Sequence, residues 1–329
     1  MKTYLVTGGA GFIGANFVHY ILKKHEQIRI INLDNLTYAG NLENLSDIAE
    51  DSRYELVKGD ICNKELVEEI FRKYEIECVI NFAAESHVDR SIVDPEIFIK
   101  TNVLGTVNML NCAKKAWETE QGFKKRVKFL QISTDEVYGS LGGNGFFTEE
   151  TPIAPASPYS ASKAAADMIV KAYHETYKMP INITRCSNNY GPYQFTEKLI
   201  PLLITNCMAH KELPIYGDGL NIRDWIYVED HCRAIEMVLN NGIYGEVYNV
   251  GGHNEKTNIG IAKTIIEYLN NHDKSITEDL IKYVEDRKGH DRRYAIDPTK
   301  INKELGWNSE ISFEEGLKTT IDWYLSKTI

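Results

Sequence analysis

Short runs of β-branched and aliphatic residues recur along the chain, at positions 3–7, 29–33, 54–58, 78–82, 127–133, 181–186 and 247–250. Between them lie stretches such as 64–73, 102–117 and 159–177, which are apolar at three- and four-residue spacing and so read as helices. This alternation predicts a parallel sheet covered by helices on both faces, and seven strands suit one doubly wound α/β sheet. The rhythm breaks twice. Residues 189–223 are rich in Pro, Gly and Tyr, and from about residue 252 helices at 259–269 and 313–324 flank a polar, charged middle. These two late pieces are expected to form one smaller, discontinuous C-terminal domain. The division that follows is 1–188 with 224–252 for the larger domain and 189–223 with 253–329 for the smaller.

Composition removes several function classes. The 329 residues carry 37 Lys and Arg against 47 Asp and Glu, so 37 − 47 = −10 at pH 7, and 43% hydrophobic with 26% charged residues excludes a disordered scaffold. The densest basic stretches, 124–128 and 287–293, are short and interrupted, which argues against a nucleic-acid partner. Cys62, Cys78, Cys112, Cys186, Cys207 and Cys232 are scattered, with no Cys-x-x-Cys pair and no Cys/His cluster at metal spacing, so no metal is expected and the thiols read as reduced. Residues 1–7 resemble neither a signal nor a transit peptide, and no run approaches the ~18 apolar residues of a membrane span. A cytoplasmic protein without a membrane partner is the simplest expectation.

Directly after the first strand stand Gly8, Gly9, Ala10, Gly11, Phe12, Ile13 and Gly14, followed by the helical run 15–24. Glycines at 8, 11 and 14 permit a tight turn, close approach of backbone to a pyrophosphate, and close helix packing, while the helix N-terminus offers free N–H groups to phosphate. A glycine-rich turn alone is weak evidence. Here it lies between strand and helix, Asp34 ends the second strand twenty residues after Gly14, and Asp60-Ile61 follows the third. Asp34 can bind ribose hydroxyls, and its charge would repel a 2′-phosphate, which favours NAD over NADP in a Rossmann domain.

Tyr159 and Lys163 are four apart in a helix opening at Pro158, so both lie on one face. A lysine cation beside a phenol is expected to lower its pKa from about 10 toward neutrality, giving a general base for an alcohol. Exposed Tyr-x-x-x-Lys pairs are common, and this one gains weight from the fingerprint upstream and from a strand ending in Ser133 and Thr134.

The glycine pattern, Asn81-Phe82-Ala83-Ala84, the stretch from Ser133 to Gly139, Tyr159 with Lys163, and Asn188-Asn189-Tyr190-Gly191-Pro192 resemble the extended short-chain dehydrogenase/reductases that act on nucleotide sugars. The resemblance covers nearly the whole chain. Sugar epimerases of that superfamily usually carry a small residue where this chain has Asp135 and Glu136. Two adjacent carboxyl groups resist simultaneous ionisation, so one can stay protonated as an acid while the other acts as a base. Ser133-Thr134-Asp135-Glu136-Val137-Tyr138-Gly139, together with 83–91 and 34–41, is similar to the signature of the 4,6-dehydratase branch, whose substrate is dTDP-glucose.

That resemblance implies NAD held by Gly8, Gly11, Phe12, Ile13, Gly14, Asp34, Asn35, Leu36, Thr37, Asp60, Ile61, Phe82, Ala83, Ala84, Ser86, Thr101, Tyr159, Lys163 and Asn189. It implies that Tyr159, assisted by Lys163, takes the O4 proton as C4 gives hydride to the cofactor. Thr134 then hydrogen-bonds the C4 oxygen, Glu136 takes the C5 proton, Asp135 protonates the departing C6 hydroxyl, and the hydride returns to C6. For the nucleotide sugar it implies Ser86 and Asn188 on sugar or phosphate, and Lys198 with the helix opening at Leu199 on the diphosphate. Pro214, Ile215 and Tyr216 would lie against thymine, and Arg223 and Asn258 would reach phosphate or sugar oxygens. Arg287, His290 and Asp291 would complete the site, in a loop where Lys288 replaces the family's proline. Helices 102–117 and 159–177, with Val107, Leu110, Met168, Ile169 and Tyr173 spread over more than one face, imply a homodimer through a four-helix interface. A non-catalytic NAD-binding regulator is the reading from another class, and the intact set from Thr134 to Lys163 weighs against it.

Overall fold

Alternate residues of each strand reach opposite sides of the sheet, and both sides are dry. Tyr4 and Val6 enter one buried cluster while Leu5 enters another, and Ile80 and Val79 divide in the same way, as do Leu130 and Phe129. The computed structural model describes residues 1–286 and 291–327. All seven expected strands form: β1 (Lys2–Thr7), β2 (Ile28–Asp34), β3 (Tyr54–Lys58), β4 (Ile76–Asn81), β5 (Lys128–Thr134), β6 (Ile181–Cys186) and β7 (Val247–Val250). They pair in parallel in the order 3-2-1-4-5-6-7. The order reverses between β1 and β4, which opens a crevice at the carboxyl ends of the strands.

Besides the short helices Val88–Val93 and Pro95–Phe98, the α-helices among the described residues are α1 (Phe12–Lys24), α2 (Lys64–Lys73), α3 (Thr106–Trp117), α4 (Pro158–Tyr177), α5 (Leu199–Met208), α6 (Val228–Asn241), α7 (Asn258–Asn270), α8 (Thr299–Leu305) and α9 (Phe313–Lys327). Residues from α1 and α6 fill one face of the sheet, and residues from α2, α3 and α4 the other. The helix expected at 102–117 starts differently. Ile99–Gly105 is a π-helical turn that runs into α3, a device frequent at functional sites. Of the apolar residues expected on outer faces, Leu110 is fully buried in the core, Val107, Ile169 and Tyr173 are half-buried, and Met168 is exposed. Leu110 is therefore core, because α3 turns that side toward the sheet.

A second core gathers Tyr190, Ile204, Ile215, Trp225, Ile265, Phe313 and Ile321 among others. Its framework is a three-stranded sheet of Glu255–Thr257, Ile222–Tyr227 and Asn188–Tyr190, with α5, α7 and α9 and the parallel pair Leu213–Tyr216 and Ile281–Val284. Ile301 and Trp307, from the C-terminal third of the chain, pack into the first core instead. No helix among the described residues is long and apolar enough to cross a membrane.

Candidate active site

The glycines after β1 do separate jobs. Gly8 has φ +70°, and a Cβ there would lie 2.8 Å from Ala83 N. At Gly14 a Cβ would lie 2.3 Å from Gly8 O, so α1 presses directly on the turn. A Cβ at Gly11 would meet only Gly8 O, at 3.3 Å, which leaves that backbone open to the crevice. Gly11 is the N-cap of α1, with no side-chain cap and no acidic residue in the first turn, so the positive end of the helix stays uncompensated. Asp34 closes β2 and is 6% exposed. Its Oδ2 accepts from Ala10 N (2.8 Å) and its Oδ1 from Leu36 N (2.8 Å), so the carboxylate ties the glycine turn to the strand end. Burial pushes its pKa up, and the two N–H donors oppose that.

One cavity at the switch point is lined by Gly8, Gly11, Phe12, Ile13, Gly14, Asp34, Asn35, Thr37, Asp60, Ile61, Phe82, Ala83, Ala84, Ser86 and Thr101. Thr134, Asp135, Glu136, Tyr159, Lys163, Asn188, Asn189 and Lys198 line the same cavity. Two separate stretches of chain meet here: Lys198 Nζ donates to Ser86 O (3.1 Å), and His87 Nε2 lies 3.8 Å from a Glu197 oxygen. Asn189 uses its side chain structurally, with Nδ2 donating to Ser187 O (3.0 Å) and Oδ1 2.9 Å from His231 Nδ1.

Other expected residues stand outside this cavity. Leu36 is spent on Asp34 through its backbone. Leu199 opens α5 and is half-buried at the second core. Ile215 is 1% exposed within that core, so its side chain is not the face offered to a base; Pro214 and Tyr216, its neighbours on the strand, are the half-exposed ones. Asn258 is the first residue of α7, its N–H given to Asn221 O (3.1 Å). Arg223 donates to Ile222 O (2.8 Å) and Asp291 O (2.9 Å) and covers the Tyr294 ring at 4.4 Å. The Asp291 carboxylate accepts from Tyr294 Oη. Arg287 and His290 lie outside the described residues.

The reacting groups converge because β5 and α4 end side by side. Ser157 caps α4 in a reciprocal bond with Ser160 and Pro158 occupies the first turn, which sets the phase that turns Tyr159 and Lys163 inward. Thr134 ends β5, accepts from Glu136 N (3.3 Å), lies 3.3 Å from Asp135 Oδ1 and hydrogen-bonds the Tyr159 phenol. Asp135 is 1% exposed and its Oδ2 has no hydrogen-bond partner. Burial, then the charges of Glu136 and Asp224, push its pKa well above the carboxylate range, while Arg223 pulls it back. Burial, the unpartnered Oδ2 and the neighbouring Glu136 all favour the protonated form of Asp135.

The groups acting on Tyr159 extend beyond the expected Lys163. Burial first and Glu136 second push the phenol up, and Thr134 is the contact that lowers it. Lys163 Nζ is committed to Ile132 O at 2.6 Å, and its own pKa is pushed down by burial. Sequence reasoning also missed Asp224, whose charge acts on Asp135, and Tyr294, whose phenol feels the charge of Glu136. Asp224 accepts from Asn254 N (2.7 Å) and Gly252 N (3.1 Å), and burial pushes it up to about 6. No spacing flags either residue, since Asp224 arrives from the strand Ile222–Tyr227 and Tyr294 from a loop remote in the chain. Glu85, Gln194 and Glu197 also line the cavity, and Glu85 and Glu197 adjoin motif residues already noted.

The GDP-mannose 4,6 dehydratase family model matches residues 5–320. A dTDP-glucose 4,6-dehydratase of Xanthomonas campestris pv. campestris is 52% identical over 331 residues, covering 99% of this chain and 94% of the relative. The crystal structure of dTDP-glucose 4,6-dehydratase from Bacillus anthracis in complex with NAD has a TM-score of 0.90 at 52% identity, covering 99% of this chain and 97% of that one. The enzyme of the same name from Streptomyces venezuelae, with NAD bound, gives 0.91 at 44% identity and the same coverages. With half of its residues shared from end to end and the backbone superposing throughout, the chain belongs to the dTDP-glucose 4,6-dehydratase family.

Proposed function

We propose that the chain converts dTDP-glucose to dTDP-4-keto-6-deoxyglucose and water as an NAD-dependent hydro-lyase, feeding deoxysugar synthesis such as that of dTDP-rhamnose. The observation that carries this reading is the buried Asp135, its Oδ2 unpartnered, beside Glu136 in the cavity that holds Tyr159. An oxidation at C4 needs, besides a hydride acceptor, only the tyrosine as base. A water elimination across C5 and C6 also needs an acid and a base close together.

The roles follow from the contacts. Tyr159 takes the O4 proton, with Thr134 as its hydrogen-bond partner and Lys163 as a buried cation on the same helix face. Oxidation at C4 acidifies the C5 proton, which Glu136 removes. Thr134 hydrogen-bonds the C4 oxygen as negative charge develops there. Asp135 carries the proton that leaves with the C6 hydroxyl, as its burial suits. The open backbone at Gly11, the uncapped end of α1 and Asp34 fit the pyrophosphate and ribose of NAD. When bound, NAD supplies a reversible hydride acceptor, taking hydride from C4 and returning it to C6, so the overall reaction is redox-neutral.

Residues 1–188 with 224–252 serve the cofactor, and 189–223 with 253–329 hold the nucleotide sugar. Lys198 meets the diphosphate, Ser86 and Asn188 the sugar, and Pro214 and Tyr216 the thymine; Arg223, Asn258, Asp291 and the loop with Arg287 and His290 complete the site. Val93 (85% exposed), Leu104 (58%) and Met168 (63%), with Ile92 and Ile99, are exposed apolar side chains outside the cavity, and they support a homodimer. The six cysteines are unpaired and five are buried, which suits the reducing cytoplasm. The test is incubation with dTDP-glucose, with UDP-glucose in parallel, and mass spectrometry of the product. Loss of one water without net NADH supports the reading; an epimer or a decarboxylated product overturns it. Light scattering that gives the mass of one chain at micromolar concentration refutes the dimer.

A further inference from the structure

Beneath the reacting cluster lies a charged group that no step above employs. Asp167 is 1% exposed and follows Lys163 by four residues on α4, so both side chains leave one helix face. Its Oδ2 accepts from Ser133 Oγ at 2.9 Å and from Arg185 Nε at 3.0 Å, and its Oδ1 has no hydrogen-bond partner. Lys163 Nζ donates to Ile132 O. The two side chains therefore dock on consecutive residues of β5, immediately before Thr134. Arg185, 5% exposed, also donates to Tyr138 Oη (2.9 Å), which donates to Asn249 Oδ1 (2.8 Å). Tyr138 ends the short turn that begins with Asp135 and Glu136.

Two buried cations thus flank one buried carboxylate, Arg185 in direct contact with it and Lys163 one helical turn away with its ammonium on the neighbouring strand carbonyl. Unpaired, each would be strongly disfavoured in its charged form. We propose that Asp167 is the positioning residue of the active-site lysine, a buried counter-charge that keeps Lys163 protonated next to Arg185 and so keeps Tyr159 competent as a base. The titratable and charged groups facing this pair are Arg185 and Cys186 from β6, with Tyr138 beyond Arg185. Burial disfavours the Lys163 cation, and Asp167 first and Cys186 second act the other way. For Asp167 itself, burial is opposed by Arg185, Lys163 and the Ser133 hydroxyl. The inference rests on the dehydratase reading for its consequence, but the charge state of Lys163 is measurable without substrate.

The experiment is NMR titration of protein labelled with 13Cε-lysine, with the Lys163 signal assigned by its loss in Lys163→Met. Asp167→Asn should lower the Lys163 midpoint by about one pH unit or more, since a close opposite charge shifts a pKa by roughly 1 to 3 units. Asp167→Glu should restore it, and Arg185→Gln should raise it. The alkaline limb of kcat for dTDP-glucose should fall by the same amount in Asp167→Asn and return toward wild type in the double variant with Arg185→Gln. A residue that only stabilised the fold would lower activity at every pH and leave both midpoints alone. An unmoved Lys163 midpoint in folded Asp167→Asn overturns the proposal; if that variant does not fold, absence of an upward shift in Arg185→Gln overturns it. Wild-type protein that shows the expected Lys163 shifts but no turnover of dTDP-glucose supports the counter-charge and removes the dehydratase reading instead.

Discussion

Replacing His231 with glutamine should flatten the acid side of the stability profile. His231 lies on α6 with no exposed surface, and its Nδ1 is 2.9 Å from the side-chain oxygen of Asn189, which lines the cavity. Its Nε2 has no hydrogen-bond partner, and burial pushes the imidazole pKa down from 6.5 to about 3. In the unfolded chain the same ring takes up a proton near pH 6.5. Between those two values the unfolded state holds a proton that the folded state refuses, so stability rises with pH across the window and is lost as pH falls from 6.5 toward 3. Each pH unit corresponds to about 1.4 kcal/mol, so the loss reaches about 2 kcal/mol by pH 5 and is bounded near 5 kcal/mol at pH 3. Asp224, raised to about 6, works in the opposite direction between 3.8 and 6, because there the folded state holds the extra proton. That contribution is common to both proteins and cancels in their difference. Glutamine keeps an N–H for Asn189 and cannot titrate. Urea unfolding of wild type and His231→Gln at pH 7.5, 6 and 5 should show the wild type losing about 2 kcal/mol relative to the variant between the first and last. A difference independent of pH would refute the argument.

Four other outcomes are expected. Asp135→Asn with Glu136→Gln should slow water loss by roughly 10² to 10⁴-fold while C4 oxidation persists, read as reduced cofactor building up in a single turnover; full dehydratase turnover would refute the acid/base assignment. Gly11→Ala should fold but weaken NAD binding by roughly tenfold or more, by calorimetry, because its Cβ meets only Gly8 O on the protein side, at 3.3 Å, and otherwise faces the crevice. Gly14→Ala should instead lose about 1–3 kcal/mol of stability, since its Cβ would lie 2.3 Å from Gly8 O. Leu104→Asp, at one of the exposed apolar side chains, should give the mass of one chain by light scattering with secondary structure intact.

The sheet was legible because its inner strands are buried on both faces and therefore announce themselves as apolar runs; the edge strand Tyr54–Lys58 is only half-buried, yet it too ends where its run ends, as does Ile181–Cys186. The glycine turn was legible because Gly8 and Gly14 answer local steric demands, a positive φ and a helix pressed on a carbonyl. What the sequence concealed depends on long-range meeting. Ile215 alternates with Pro214 and Tyr216 on one short strand, and nothing local says which face looks inward. The π-helical turn at Ile99–Gly105 keeps a helical apolar pattern, so Thr101 was placed but its geometry was not. The rise of the Tyr159 pKa follows from burial and from Glu136, twenty-three positions away, whereas the local pattern offered only Lys163.

The C-terminal third does not stay with the second core. Trp307 is 2% exposed against the first core and donates from Nε1 to Asp230 O at 3.1 Å, with Ile301 fully buried beside it. A truncation that kept only residues through 252 would therefore not release a self-sufficient nucleotide-binding fragment. It would open a tryptophan-sized gap, of the kind that costs about 3–5 kcal/mol in folded proteins, and would uncover α6. Engineers wishing to graft this cofactor module elsewhere must carry residues 299–307 with it, as a separate segment or by circular permutation.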